Sequence, residues 1–177
     1  MAIHIIIDGY NFIRQSMSPR LLKTRDLQQE REFLVRLLAA WKRRRAHAVT
    51  VVFDGGRAPW DLPRKDVVSG IEVIFSPAGQ TADTVIKEMA AREKEKALVV
   101  SSDREISVFV SRTGATTIDC AAFESRLEAE FLTDDEDGLY PDEGDGQSVR
   151  PASTRKKGPS FRLSKKQRQL KSRLEKL

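Results

Sequence analysis

The chain has 177 residues, 31 of them basic and 26 acidic, for a net charge of +5; at roughly 100 to 200 residues per domain it holds one domain with appendages, and a multidomain machine is excluded. Hydrophobic residues make up 40% and charged residues 32%, enough apolar material for a core but more charge than a domain without tails needs. No apolar run approaches the ~20 residues that span a bilayer, and no secretory signal is visible at the N-terminus, so the expectation is a cytoplasmic protein with no membrane partner.

In chain order, short β-branched apolar runs predict five buried strands at Ile3 to Ile7, Val49 to Phe53, Ile71 to Phe75, Leu98 to Val100 and Ala115 to Ile118. Between the first two, Leu27, Leu34, Leu38 and Trp41 recur at helical spacing. The basic stretch Lys42 to Arg45 closes that helix and complements its dipole. Val85 with Met89, and Leu127 with Phe131, mark further one-sided helices. Strands alternating with helices predict an α/β fold, an open and mainly parallel sheet covered on both faces, ending near Leu132. Residues 133–163 then read as a linker, first acidic and Gly-rich, then basic. In residues 164–177, Ser164 and Gln167 fit a capping box and Leu170, Leu174 and Leu177 share a face, so the end is either a short basic amphipathic helix or a disordered tail.

Charge follows the same division. Residues 1–130 carry 20 basic and 18 acidic side chains, residues 131–147 seven acids and no base, and residues 148–177 eleven bases and one acid. The globular part is nearly neutral, while the excess that attracts a polyanion lies in the last thirty residues. Six phosphate contacts from that tail would lower affinity on the order of a thousandfold between 50 and 200 mM salt. Cys120 is the only cysteine, which excludes an internal disulfide and a Cys-rich zinc site. His4 and His47 fall in no ligand pattern and read as structural.

Four aspartates carry the chemistry. Asp8 ends the first strand, Asp54 ends the second, Asp103 follows the fourth, and Asp83 falls in the first turn of the helix before the fourth. In a parallel sheet these places share one edge, where ligands bind. Two carboxylates about 5 Å apart repel by roughly 3 kcal/mol at an effective dielectric of 20. A cluster of them must either protonate in part or be neutralised by a divalent cation, and all-oxygen donors suit Mg²⁺ or Mn²⁺. Such a site favours phosphodiester hydrolysis, with water as the nucleophile. Each acid also has a structural reading: Asp8 and Asp54 as turn residues before glycine, Asp103 or Ser102 as a helix cap, and Asp83 as a carboxylate favoured by a helix dipole.

The segments Ile6-Ile7-Asp8-Gly9-Tyr10-Asn11, Val51-Val52-Phe53-Asp54-Gly55, Thr81-Ala82-Asp83 and Ser101-Ser102-Asp103-Arg104-Glu105 occur in this order. Together they resemble the YacP-like NYN domains, relatives of the PIN-domain ribonucleases, over roughly residues 3 to 132. The resemblance implies a three-layer PIN-like domain and a strand order that places the first strand between the second and the fourth. It also implies a metal-dependent endoribonuclease acting on RNA, with mRNA on the ribosome as the setting. Asp8, Asp83 and Asp103 then form the catalytic acidic site, with Asp54 as an accessory metal ligand. Asn11, able to donate and to accept, is placed to hold water or a phosphate oxygen.

Further RNA contacts are expected from Arg104, beside a metal ligand, and from Lys165, Lys166 and Arg168 in the tail. No organic cofactor is expected, because neither phosphate-cradling glycine motif is present. Two other readings stay open. A noncatalytic RNA- or ribosome-binding module would keep the fold and use only the tail. A phosphotransferase with Asp8 as nucleophile also fits an acid after the first strand, although Tyr10 occupies the place of the second acid in the best-known version of that chemistry.

Overall fold

The computed structural model describes residues 2–17, 26–43, 45–56 and 64–133, with side chains as far as residue 128. The chain divides into two units, Met1–Glu130 and Phe131–Leu177; of the second, only the end of the last helix is described. The elements run β1 (His4–Asp8), α1 (Gly9–Gln15), α2 (Leu27–Lys42), β2 (Ala48–Phe53), β3 (Arg64–Val68), β4 (Ile71–Phe75), α3 (Ala82–Glu93), β5 (Ala97–Val100), α4 (Arg104–Thr113), β6 (Thr116–Ile118) and α5 (Cys120–Thr133).

The strands form one sheet in the order β3-β4-β2-β1-β5-β6. Every neighbouring pair is parallel except β3 and β4. The expected mainly parallel α/β sheet is present, with β1 between β2 and β5, but it has six strands where the apolar runs indicated five. The extra strand, β3, reads RKDVV and is almost wholly exposed, so it lacks the buried run that marks the others. A two-residue hairpin turn, Ser69-Gly70 with φ of 51° and 83°, folds it back onto β4. Positive φ at both central residues gives the turn a twist that suits a tight hairpin.

Central position explains the composition of β1: Ile5, Ile6 and Ile7 are fully buried between two layers of helices. On one face Ile6 and Val52 join Val85, Ile86 and Met89 of α3 and Ile106 and Val110 of α4. On the other face, Phe123 of α5 meets Phe12 of α1 edge-on at 6.1 Å and Trp41 of α2 at 5.7 Å. Two cations of the basic stretch that closes α2 have structural partners: Lys42 Nζ donates to the Gly70 carbonyl, and Arg45 donates to the Trp41 carbonyl and lies 4.5 Å over its ring. Both histidines occupy structural places. His47 Nδ1 accepts the Ile3 N–H, while His4 lies between Glu93 Oε2 at 2.6 Å and Thr50 Oγ1 at 2.7 Å. Among the described residues, no helix is long and apolar enough to cross a membrane.

Candidate active site

Parallel strands deliver their last residues to one edge, and each following helix starts there. Asp8, the last residue of β1, is 7% exposed and N-caps α1: its Oδ1 accepts the Asn11 N–H at 3.2 Å. Helix formation so soon after the strand requires Gly9, because a Cβ there would lie 2.3 Å from the Phe53 ring. The turn reading of Asp8 is realised in this cap. Its Oδ2 accepts from the Ser101 hydroxyl at 3.1 Å, and the same hydroxyl oxygen accepts the Asp103 N–H at 3.1 Å. Asp103 is the cap of α4, taking Glu105 N–H at 2.6 Å and Ile106 N–H at 3.2 Å on Oδ1. Ser102 has another task, accepting the Cys120 N–H at 3.1 Å.

Asp83 stands in the first turn of α3, capped by Thr81. One turn on, Lys87 Nζ binds Glu105 Oε1 at 2.5 Å and ties α3 to α4. Burial raises the Asp8 pKa from 3.8 to about 6; the Asn11 and Ser101 hydrogen bonds oppose this, and the charges of Asp83 and Asp103 add to it. Asp83 is also raised, by burial first and then by Asp103, with Lys87 pulling it down and Glu105 pushing it up. The charges of Asp83 and Asp103 thus act on Asp8, and that of Asp103 acts on Asp83.

Asp54 is placed differently. Asp8 pairs with Val52, so Asp54 lies two residues, about 6 to 7 Å, beyond the level of Asp8 along β2. It is exposed, and its Oδ1 accepts the Gly56 N–H at 2.9 Å, the local turn bond expected of an Asp before Gly-Gly. Asn11 spends its Oδ1 on the Ser102 N–H at 2.9 Å and the Cys120 thiol at 3.2 Å, which leaves its two amide N–H donors without a partner among the described residues. Arg104 is exposed in the first turn of α4. Lys165, Lys166 and Arg168 lie outside the described residues. Cys120 is buried, and burial foremost raises its thiol pKa, so it serves as a neutral donor to Asn11.

The sequence alone does not single out Ser101, Lys87 or Glu105 as site residues. Lys87 is legible afterwards as the i+4 neighbour of Asp83 on one helix face. The Ser101 bridge spans 93 residues to Asp8, and no local signal marks it.

Among the described residues, no three His, Cys, Asp or Glu side chains converge enough to hold a metal by themselves. The crowding is therefore met first by protonation, since an Asp8 pKa of about 6 leaves the carboxyl part-protonated in mildly acidic solution. The donor set still fits a hard dication. All three acids offer oxygen, each Asp8 oxygen has one hydrogen bond and a spare lone pair, and Mg²⁺ is commonly held by one or two carboxylates with water and phosphate completing its shell.

Comparison with known proteins gives the family and the fold. The family profile of the YacP-like NYN domain matches residues 5–174. The chain belongs to the YacP-like NYN family. The match continues past residue 132, where the resemblance read from the motifs stops. A curated relative named only as an uncharacterized protein YacP, from Bacillus subtilis (strain 168), is 30% identical over 86 residues, 49% of this chain and 50% of its own. The match spans half the length of that relative. A crystal structure of a Rae1 (YacP) mutant from Bacillus subtilis aligns with TM-score 0.63 at 23% identity, over 76% of this chain and 80% of that one. A second Rae1 (YacP) structure from the same organism aligns with TM-score 0.60 at 26% identity, over 77% and 79%. The fold is that of these YacP structures. NYN domains are nuclease-like and RNA-related, and NYN and PIN-like nucleases typically use divalent metals.

Proposed function

We propose that this chain is an Mg²⁺- or Mn²⁺-dependent endoribonuclease that hydrolyses RNA phosphodiester bonds, with mRNA on the ribosome as its setting in the cytoplasm. What supports the proposal is that the charges of Asp83 and Asp103 reach the buried Asp8 at one sheet edge in a YacP-like NYN chain. One or two of Asp8, Asp83 and Asp103 would hold the cation directly and the remainder through water, with Asp54 as an accessory also reached through water. When bound, the cation would offset the negative charge that builds on the phosphoryl oxygens and favour ionisation of the attacking water.

The chain's own residues do the rest. Ser101 orients Asp8 and fixes the start of α4 in one stroke. The free Asn11 amide offers two donors to a phosphate oxygen or to the attacking water. Arg104 is within reach of solvent beside Asp103, free to meet the strand. We assign residues 1–132 to the nuclease domain, and Lys165, Lys166 and Arg168 to an RNA-recruiting tail.

The test incubates full-length protein with labelled RNA and labelled DNA, with Mn²⁺ or EDTA, with and without ribosomes. Chelator-sensitive RNA cutting by the wild type and none by Asp8→Asn is expected, with RNA binding retained in the variant. RNA binding without cutting under every condition would replace the proposal by the noncatalytic module.

A further inference from the structure

The cations at the carboxyl edge of the sheet differ in whether their charge is already matched. Lys87, on the α3 and α4 side, is bound to Glu105 and lies 6.0 Å from the centre of the Phe109 ring. Arg31, on the opposite side, has no carboxylate partner among the described residues. It extends from the N-terminal part of α2 and is half-buried. Its Nη1 donates to the Tyr10 hydroxyl at 3.1 Å, and its Cζ lies 5.4 Å from the centre of the Phe75 ring.

Those two contacts are themselves fixed. Tyr10 packs tilted against Phe53 at 5.1 Å, and Phe53 stacks with Phe75 at 5.7 Å. Phe53 and Phe75 are the last residues of β2 and β4, and Tyr10 is two residues beyond Asp8. The guanidinium is therefore held at the same edge as the acids, displaced toward β2 and β4. Holding a long, rotamer-rich side chain still by a ring and a hydroxyl removes an entropy cost that ligand binding would otherwise meet. One of its five N–H donors is used within the protein, and the planar fork suits a phosphodiester in a two-bond arrangement.

We infer that Arg31 is a phosphate-binding residue for the RNA strand on the β2 and β4 side of the acidic site, with Tyr10 and Phe75 as its positioning residues. The inference rests on the RNA-nuclease reading above and adds the direction in which the strand leaves the acids.

The test measures the affinity of the full-length Asp8→Asn chain, which cannot cut, for a fluorescein-labelled single-stranded RNA over a range of KCl. Adding Arg31→Gln is expected to weaken binding roughly tenfold at low salt and to reduce the slope of log K against log[KCl] by about 0.7, the share of one phosphate contact on a single strand. Arg31→Lys should keep the slope and lose part of the affinity. Tyr10→Phe should also keep the slope, because it removes a positioning bond and no charge. In the unsubstituted Arg31 chain, RNA should protect Arg31 from phenylglyoxal, mapped by mass spectrometry, a readout independent of whether Arg31→Gln folds. An unchanged slope with unprotected Arg31, in a parent that binds RNA, overturns the assignment and leaves the nuclease reading intact. A parent that binds no RNA overturns both.

Discussion

Replacing Asp8 by Asn should stabilise the metal-free protein at neutral pH, although Asp8 is the residue most central to the proposed chemistry. The carboxyl is buried and its pKa is raised from 3.8 to about 6. Below pH 3.8 the group is protonated in both folded and unfolded chains, and its ionisation costs nothing. As the pH rises toward 6 the unfolded chain gives up its proton while the folded chain keeps it, so stability falls; above about 6 both are ionised and the loss is complete. At roughly 1.4 kcal/mol per pH unit the loss amounts to about 3 kcal/mol. Asn has nearly the same shape and no charge to desolvate. Its Oδ1 can keep the Asn11 N–H, and its amide can donate to Ser101, whose hydroxyl turns to suit. In EDTA at pH 7.5 the variant should therefore melt on the order of 10 °C above the wild type, and at pH 4 the difference should nearly vanish. Mn²⁺ should raise the melting temperature of the wild type and leave that of Asp8→Asn almost unchanged. A variant that melts at or below the wild-type temperature at pH 7.5 would refute the reasoning, and so would a gap that does not depend on pH.

Gly9→Ala places a Cβ 2.3 Å from the ring of Phe53, which is fully buried and cannot retreat; a loss of roughly 1 to 3 kcal/mol is expected, seen as a lower urea midpoint at unchanged slope. Ser101→Ala removes a hydrogen bond that lowers the Asp8 pKa, so that pKa should climb from about 6 and the acid limb of the cleavage-rate profile should move to higher pH. An unmoved limb would show that Ser101 does not govern Asp8. Asp103→Asn keeps an acceptor for the first turn of α4, whereas Asp103→Ala leaves the Glu105 and Ile106 N–H groups uncapped. The alanine variant should be less stable than the asparagine variant by about 1 kcal/mol, while both lose RNA cleavage; melting curves and a cleavage assay read the two effects separately.

What was legible in the sequence follows from what each element depends on. The strands buried between two helix layers depend on apolar, β-branched runs, and those five were visible. Strand β3 depends on a hairpin turn and on backbone pairing, and its exposed side chains carry no periodic signal; only the Ser69-Gly70 dipeptide marked it. The acids at the ends of β1 and β5 were legible because strand ends are where the apolar run stops, and their proximity followed once β1 was placed between β2 and β5. Register was not legible. Asp54 looks equivalent to Asp8 in sequence, yet the pairing of Asp8 with Val52 puts it two residues further out, where it closes a local turn. The Ser101 bridge and the Lys87–Glu105 tie join residues 93 and 18 positions apart, and distances of that kind are set by packing alone.

The same topology that crowds the acids also supplies part of the means to tolerate them. Asp8 and Asp103 cap α1 and α4, and Asp83 lies in the first turn of α3, so all three carboxylates sit at the positive ends of helix dipoles. Each such placement contributes about 0.3 to 1 kcal/mol, less than the roughly 3 kcal/mol by which two carboxylates 5 Å apart repel at a dielectric of 20. The helices therefore ease the repulsion without removing it, and they do nothing for the desolvation of Asp8, the largest cause of its raised pKa. Below about pH 6 a remainder of that size is met in the free protein by a proton. In a working nuclease it is available to a cation, and it supplies a reason for the site to prefer one. Burying Asp8 while leaving Asp83 and Asp103 nearer solvent concentrates this demand on a single residue, the one whose neutral replacement should stabilise the fold and end the chemistry together.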